Sequence, residues 1–194
     1  MFLNHIILAT LWVLYGVLHS VLASLGFKKK MQQILGRNFK HYRLAYTIFA
    51  FVSLAAVLWY QVSISTIKFY KPTFLIVALG YLVVVTGFGI MLTCIKKYFM
   101  SLSGLRSLFQ EQTYSELMIS GIHRYVRHPL YLGTFLFIWG LAVLFPYLSL
   151  VIMNTVITLY TVLAIRYEEA KLVAEFGEQY REYQKAVPKL IPKW

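Results

Sequence analysis

The chain has 194 residues, 59% of them hydrophobic, and a mean hydropathy of +0.65. A soluble core of this size cannot hide so much apolar side chain, so a water-soluble globular domain is excluded. The formal net charge of +12 sits in short segments between apolar runs and comes with no nucleic-acid motif, which points to anionic lipid headgroups and away from nucleic acid.

Five apolar runs predict five transmembrane helices, because lipid offers no partner to an open backbone and a bilayer core is about 30 Å thick. The first covers about Leu3 to Gly26 and carries no early basic cluster and no small-residue cleavage site, so it reads as a retained span. His19 and Ser20, late in it, could line a pocket; the stronger reading of His19 is a hydrogen-bonded packing residue. The second run covers about Leu44 to Val62, and the third runs from about Thr73 to Ile95 after Pro72, a residue suited to a helix start. Its "TGFGIM" stretch (Thr86 to Met91) follows no strand, so it is not a nucleotide loop, and its glycines predict close helix packing. Cys94, the single cysteine, can form no internal disulfide and reads as a structural thiol. The fourth run begins at Pro129 and reaches about Phe145; the fifth follows Pro146 and reaches about Ile165. Only Phe145-Pro146-Tyr147 separates them, which predicts a tight helical hairpin. Trp12, Trp59, Tyr60, Tyr70 and Tyr98 read as interfacial anchors.

Of the 19 lysines and arginines, all but Lys68 and Lys71 fall on one side of this topology, which the positive-inside rule makes cytoplasmic. The N-terminus is then outside and the C-terminal tail inside. All seven acidic residues lie after residue 110. The expected organisation is therefore an all-α polytopic membrane protein forming one structural domain. Residues 1–96 form a membrane platform of three spans with basic loops. Residues 97–194 form a catalytic half, made of a cytoplasmic loop, the hairpin and a C-terminal cytoplasmic helix. The lack of carboxylates in the first three spans argues against a transporter.

Two stretches carry the chemistry. The first is "GIHRYVRHPLYLG", residues 121–133. A residue before proline is pushed out of the helical region and proline suits the first turn, so a helix starts at Pro129. Its free N–H groups, with Arg127 and His128, make a receptor for a carboxylate or phosphate. Tyr131 lies one turn in on the same face, and Gly133 leaves room for a close ligand approach. Arg124 alone reads as a lipid anchor. The second is "RYEEAKLVAEFGEQYREYQKAVPKLIP", from Arg166 to Pro192. From Glu169, helical spacing leads to Leu172, Val173, Phe176, Tyr180 and Tyr183, an apolar face. From Glu168 it leads to Glu175 and Glu182, a polar stripe. Glu169 should point inward and Glu168 should border water, with a kink expected at Gly177. An inward acid is either a working group or half of an ion pair, with Arg127, Arg166 or Lys171, that staples the tail to the hairpin.

"RHPLYLG" followed one hairpin later by "EEAKLVAEFGEQYREYQKAVP" resembles the isoprenylcysteine carboxyl methyltransferase family, and phospholipid methyltransferases share a looser form of the pattern. The likeness covers roughly Gly121 to Pro192. In the first half, "LHSVLAS" (Leu18 to Ser24) resembles bacterial and archaeal relatives that include membrane thiol methyltransferases. The resemblance implies S-adenosylmethionine as methyl donor, S-adenosylhomocysteine as product, and no metal. It implies Arg127, Glu168 and Glu169 as catalytic residues. It implies Gly121, Ile122, Tyr125, Val126, His128, Tyr131, Leu132, Gly133, Glu169 and Leu172 around the cofactor. The acceptor it implies is lipophilic and delivered from the bilayer: an isoprenylcysteine carboxylate first, with a phospholipid amine or a small thiol as alternatives. A non-catalytic protein that binds anionic lipid through its basic edge is the rival from another class.

Overall fold

The computed structural model describes residues 1–102, 117 and 119–192, and among them every regular element is helical. The helices are α1 (Phe2–Ala23), α2 (Leu25–Leu35), α3 (Tyr42–Ser63), α4 (Phe74–Leu102), α5 (Pro129–Leu144), α6 (Leu148–Phe176) and α7 (Glu178–Ala186), with 3-10 turns at Gly36–His41 and Gly121–Arg124. The side chain of Tyr98 and all of Arg106, Glu111 and Glu116 lie outside the described residues.

Four stretches are long and apolar enough to cross a membrane: Phe2–Ala23, Gly26–Ser63, Phe74–Lys96 and Leu148–Phe176. The fourth expected span, α5, has only 16 residues. At about 1.5 Å per residue it is roughly 24 Å long, short of a full hydrocarbon core.

The described chain falls into two compact units, one holding Met1–Ile67 and residues 98–102, the other holding Lys68–Lys97 with residues 117 and 119–192. The third apolar helix, up to Lys97, thus shares a unit with the hairpin.

In the first unit α1 and α3 run antiparallel, joined by polar contacts along their length. His5 Nε2 lies 3.0 Å from Thr66 Oγ1, Trp12 Nε1 donates to Gln61 Oε1 at 2.9 Å, and the Tyr46 hydroxyl lies 2.8 Å from His19 Nδ1. The Tyr42 hydroxyl donates to Leu22 O at 2.7 Å. His19 is thus a hydrogen-bonded packing residue, and Ser20 is exposed. Trp12 corrects the anchor reading. It sits mid-helix, 3% exposed, because its indole N–H finds a glutamine partner inside the pair, whereas Trp59 remains 75% exposed. The first span is also shorter than expected. Ser24 adopts an extended conformation (ψ 148°) and its hydroxyl caps Phe27 N at 3.3 Å, so α1 ends at Ala23 and the basic segment with Lys28, Lys29 and Lys30 becomes a separate helix.

In the second unit glycines set the approach of α4 to α5. A Cβ at Gly87 would meet Phe137 N at 2.6 Å and Gly133 O at 2.7 Å; one at Gly133 would meet Gly87 O at 2.9 Å. Close packing explains Gly87, as its sequence context predicts, but it also fills the space expected to receive a ligand beside Gly133. Gly89 meets nothing within 4 Å. The hairpin turn is as tight as expected, with only Phe145, Pro146 and Tyr147 between α5 and α6. Phe69 N donates to Pro146 O at 2.8 Å and Lys68 Nζ sits 5.7 Å from the Tyr147 ring centroid, which brings Lys68 of the second connection to the hairpin turn. Within the hairpin, fully buried Asn154 donates to Ile138 O at 2.8 Å. Cys94 is buried at 2% exposure.

Helix α6 does not stop at Ile165. It continues unbroken through Arg166 and both glutamates to Phe176, and Gly177 (φ +57°) ends it before α7. Only glycine takes that conformation readily, which is how the expected kink is made.

Gly87→Ala should lower thermal stability by about 1–3 kcal/mol, the usual cost of overpacking against backbone. Gly89→Ala should be neutral or mildly stabilising, since alanine favours helix and meets no neighbour there. Unfolding midpoints of the two variants in detergent check this; equal midpoints would contradict the packing.

Candidate active site

The site is built where three segments of the second unit converge: the lead-in to α5, the C-terminal turns of α6 and the extended chain after α7. Pro129 stands at N1 of α5 and His128 at its N-cap (φ −120°, ψ 65°), as the proline predicts. This fixes Arg127 and His128 just before the first turn. On α6 the helical phase turns Glu169 inward, at 8% exposure, while the Glu168 side chain remains 45% exposed. About four turns of the same face carry Thr161 and Ile165 before Glu169 and half-buried Leu172, Val173 and Phe176 after it; Tyr180, across the Gly177 break, is 1% exposed.

Arg127 and Glu169 meet directly. Nε donates to Glu169 Oε1 at 2.9 Å, and Nη2 lies 2.8 Å from the same oxygen. His128 Nε2 is 3.2 Å from Oε1 as well. The other oxygen, Oε2, faces Lys189 Nζ at 3.2 Å. A buried carboxylate survives desolvation only with this density of donors. Glu168 has a looser environment: its Oε2 accepts from the Tyr131 hydroxyl at 3.0 Å and lies 3.7 Å from His128 Nδ1. The His128 and Tyr131 rings stack at 5.6 Å between centroids.

The chain after α7 lies across the tip of α5. Arg127 N donates to Pro188 O at 2.9 Å and His128 N donates to Lys189 O at 3.1 Å. Arg127 Nη1 donates to Gln184 O at 2.9 Å and to Val187 O. The Tyr183 hydroxyl donates to His123 O at 2.7 Å. Val187 is extended (φ −120°, ψ 129°), as its position before Pro188 requires. At the entry to α5 the N–H groups of Arg127 and His128 are thus bonded to this strap, and the guanidinium has four of its five N–H groups directed at Glu169 or at tail carbonyls. Burial first, and Glu169 next, push the Tyr180 hydroxyl up to about 12, so it stays protonated at neutral pH.

Of the residues singled out in the sequence, Arg127, His128, Tyr131, Glu168 and Glu169 form one bonded cluster. Val126, 1% exposed, and half-buried Leu132 flank it in the chain, and Leu172 lies on the face of Glu169. Gly121 opens a 3-10 turn at φ +67°, half-buried Ile122 accepts from Tyr125 N within it, and Tyr125 is 68% exposed; neither Gly121 nor Tyr125 hydrogen-bonds the cluster among the described residues. Lys189 is the member that sequence reasoning missed. A lysine in a basic tail looks solvated; the signal was its place directly after Pro188, which forces the strap to be extended. Among the described residues no group of three or more His, Cys, Asp or Glu side chains could hold a metal ion.

Comparison with known proteins places this geometry. The family described as phospholipid methyltransferase matches residues 75–179. A methanethiol S-methyltransferase of Crocosphaera subtropica is 31% identical over 92% of this chain and 71% of its own length. Another from Mycobacterium tuberculosis is 27% identical over 92% of this chain and 74% of its own. A protein-S-isoprenylcysteine O-methyltransferase of Schizosaccharomyces pombe is 39% identical, but over 39% of this chain and 33% of its own. No solved structure matches. The matched span runs from α4 through both glutamates and over the Arg127–His128 tip, more than half of the chain, and on that ground the protein belongs to the phospholipid methyltransferase family.

Proposed function

We propose that the chain is an S-adenosylmethionine-dependent methyltransferase of the membrane surface, and that its acceptor is a small thiol of the size of methanethiol. The observation that carries the choice of acceptor is the extent of likeness: relatives named for methanethiol align over 92% of the chain, the prenylcysteine relative over 39%. The site geometry favours the same choice. A carboxylate acceptor needs a cation to orient it, and Arg127, the residue expected to do so, is bonded to Glu169 and the tail. A thiol needs no cation; it needs to lose a proton, because the thiolate is the nucleophile.

The two carboxylates of the cluster fit a cofactor with a cationic end. When bound, that cofactor supplies an electrophilic methyl group on a sulfonium. Glu169, steadied through Oε1 by Arg127 and His128, offers Oε2 to the cofactor's ammonium. Glu168, at the water boundary and oriented by Tyr131, receives the thiol proton as the sulfur takes the methyl group; the proton then passes to solvent. Positioning at the tip of α5 provides a large part of the rate. We also propose that all five apolar helices cross or enter the bilayer with the N-terminus outside and the α5 tip cytoplasmic, which the concentration of basic residues on one side supports. A short α5 suits that arrangement, since its polar tip then lies below the headgroups, where a soluble cofactor and a lipophilic acceptor meet.

Membranes incubated with methyl-labelled cofactor and methanethiol should yield labelled dimethyl sulfide. Label appearing in a prenylcysteine ester or a phospholipid, with none in the thioether, would replace the acceptor proposed here. Glu168→Gln should lower turnover about 100-fold at neutral pH. That loss should shrink as pH rises toward the acceptor's thiol pKa, because thiolate then forms without a base. A loss independent of pH would remove Glu168 from proton transfer.

A further inference from the structure

The strap places a cation on the very oxygen assigned to the cofactor. Glu169 is 8% exposed and its partners divide by oxygen. Arg127 and His128, 8% and 5% exposed in their side chains, hold Oε1, and both lie in the segment entering α5. Among the described residues Lys189 alone reaches Oε2, at 3.2 Å, and its side chain is 43% exposed. It comes from a different piece of chain, one attached to the α5 tip through backbone bonds from Arg127 N and His128 N to Pro188 O and Lys189 O. Arg127 and His128 are therefore buried partners, whereas Lys189 is a half-exposed primary ammonium resting on a buried carboxylate from the solvent side. The amino-acid end of S-adenosylmethionine carries the same functional group.

We propose that Lys189 is a tethered occupant of Glu169, which the cofactor's ammonium displaces on binding. This rests on the cofactor reading given above and adds its regulation. While the cofactor is away, Lys189 gives Oε2 a partner beside the Arg127 pairing at Oε1, so that oxygen of the buried carboxylate is not left without a donor. Arrival of the cofactor exchanges one ammonium for another, and Lys189 swings to water, where a lysine head is well solvated. The exchange lowers apparent affinity, as any competing internal ligand does, by the fraction of time the site is self-occupied. Discrimination follows as well, because a nucleoside with no ammonium gains nothing by evicting Lys189.

The test is calorimetric titration of the full-length protein in detergent with S-adenosylhomocysteine and with 5′-methylthioadenosine, which lacks the amino-acid end. Lys189→Gln should tighten S-adenosylhomocysteine about threefold to tenfold, the range expected for removing a partly exposed ion pair. The same variant should leave methylthioadenosine within about twofold, and Lys189→Arg, which keeps the cation, should stay close to wild type. Weaker or unchanged S-adenosylhomocysteine binding in Lys189→Gln, or equal tightening of both ligands, overturns the inference while leaving the cofactor reading intact. Failure of the wild-type protein to bind either ligand overturns both.

Discussion

A buried ion pair between Arg127 and Glu169 determines how the second unit closes. The two residues belong to the lead-in of α5 and to α6, and neither could stand in that position alone. A buried carboxylate without partners costs several kcal/mol or shifts to its neutral form. Here one oxygen takes two guanidinium N–H groups and a histidine nitrogen, and the other faces an ammonium. The same guanidinium reaches on to Gln184 O and Val187 O. One side chain therefore joins the hairpin to the C-terminal chain. The other residues of the candidate site sit around that joint: Glu168 and Tyr131 on its water side, His128 between the two acids, Lys189 at its rim.

Much of this was readable from residue types and spacing. Proline after histidine starts α5 where expected, and Phe145-Pro146-Tyr147 leaves no length for anything but a tight turn. The 3.6-residue period correctly separates inward Glu169 from outward Glu168. Gly177, as the only residue there able to take a positive φ, ends α6. These features are local, or depend on one helix and its periodicity, which is why sequence carries them.

What the sequence did not carry depends on long-range partners. Arg127 and the N–H groups beside it look like an anion receptor, because a sequence lists donors without saying which acceptors will reach them. The acceptors come from about 60 residues later, on a strap made extended by Pro188. Of the two readings of Glu169, the stapling ion pair with Arg127 is present, and the functional role proposed above is placed on the same carboxylate. Trp12 has the composition of an interfacial anchor, but Gln61 offers its indole a partner inside the α1–α3 pair. Ser24 was passed over inside an apolar run although it carries the signature of an N-cap.

The joint itself can be measured apart from any ligand. The His128 amide is bonded to Lys189 O, so its hydrogen exchange reports whether the strap stays on the α5 tip. Breaking a buried ion pair by removing one partner costs about 3–5 kcal/mol. Arg127→Ala should therefore speed exchange at His128 by at least about 100-fold while amides in the middle of α6 keep their protection. Unchanged protection at His128 in that variant would contradict the claim that Arg127 and Glu169 hold the tail in place.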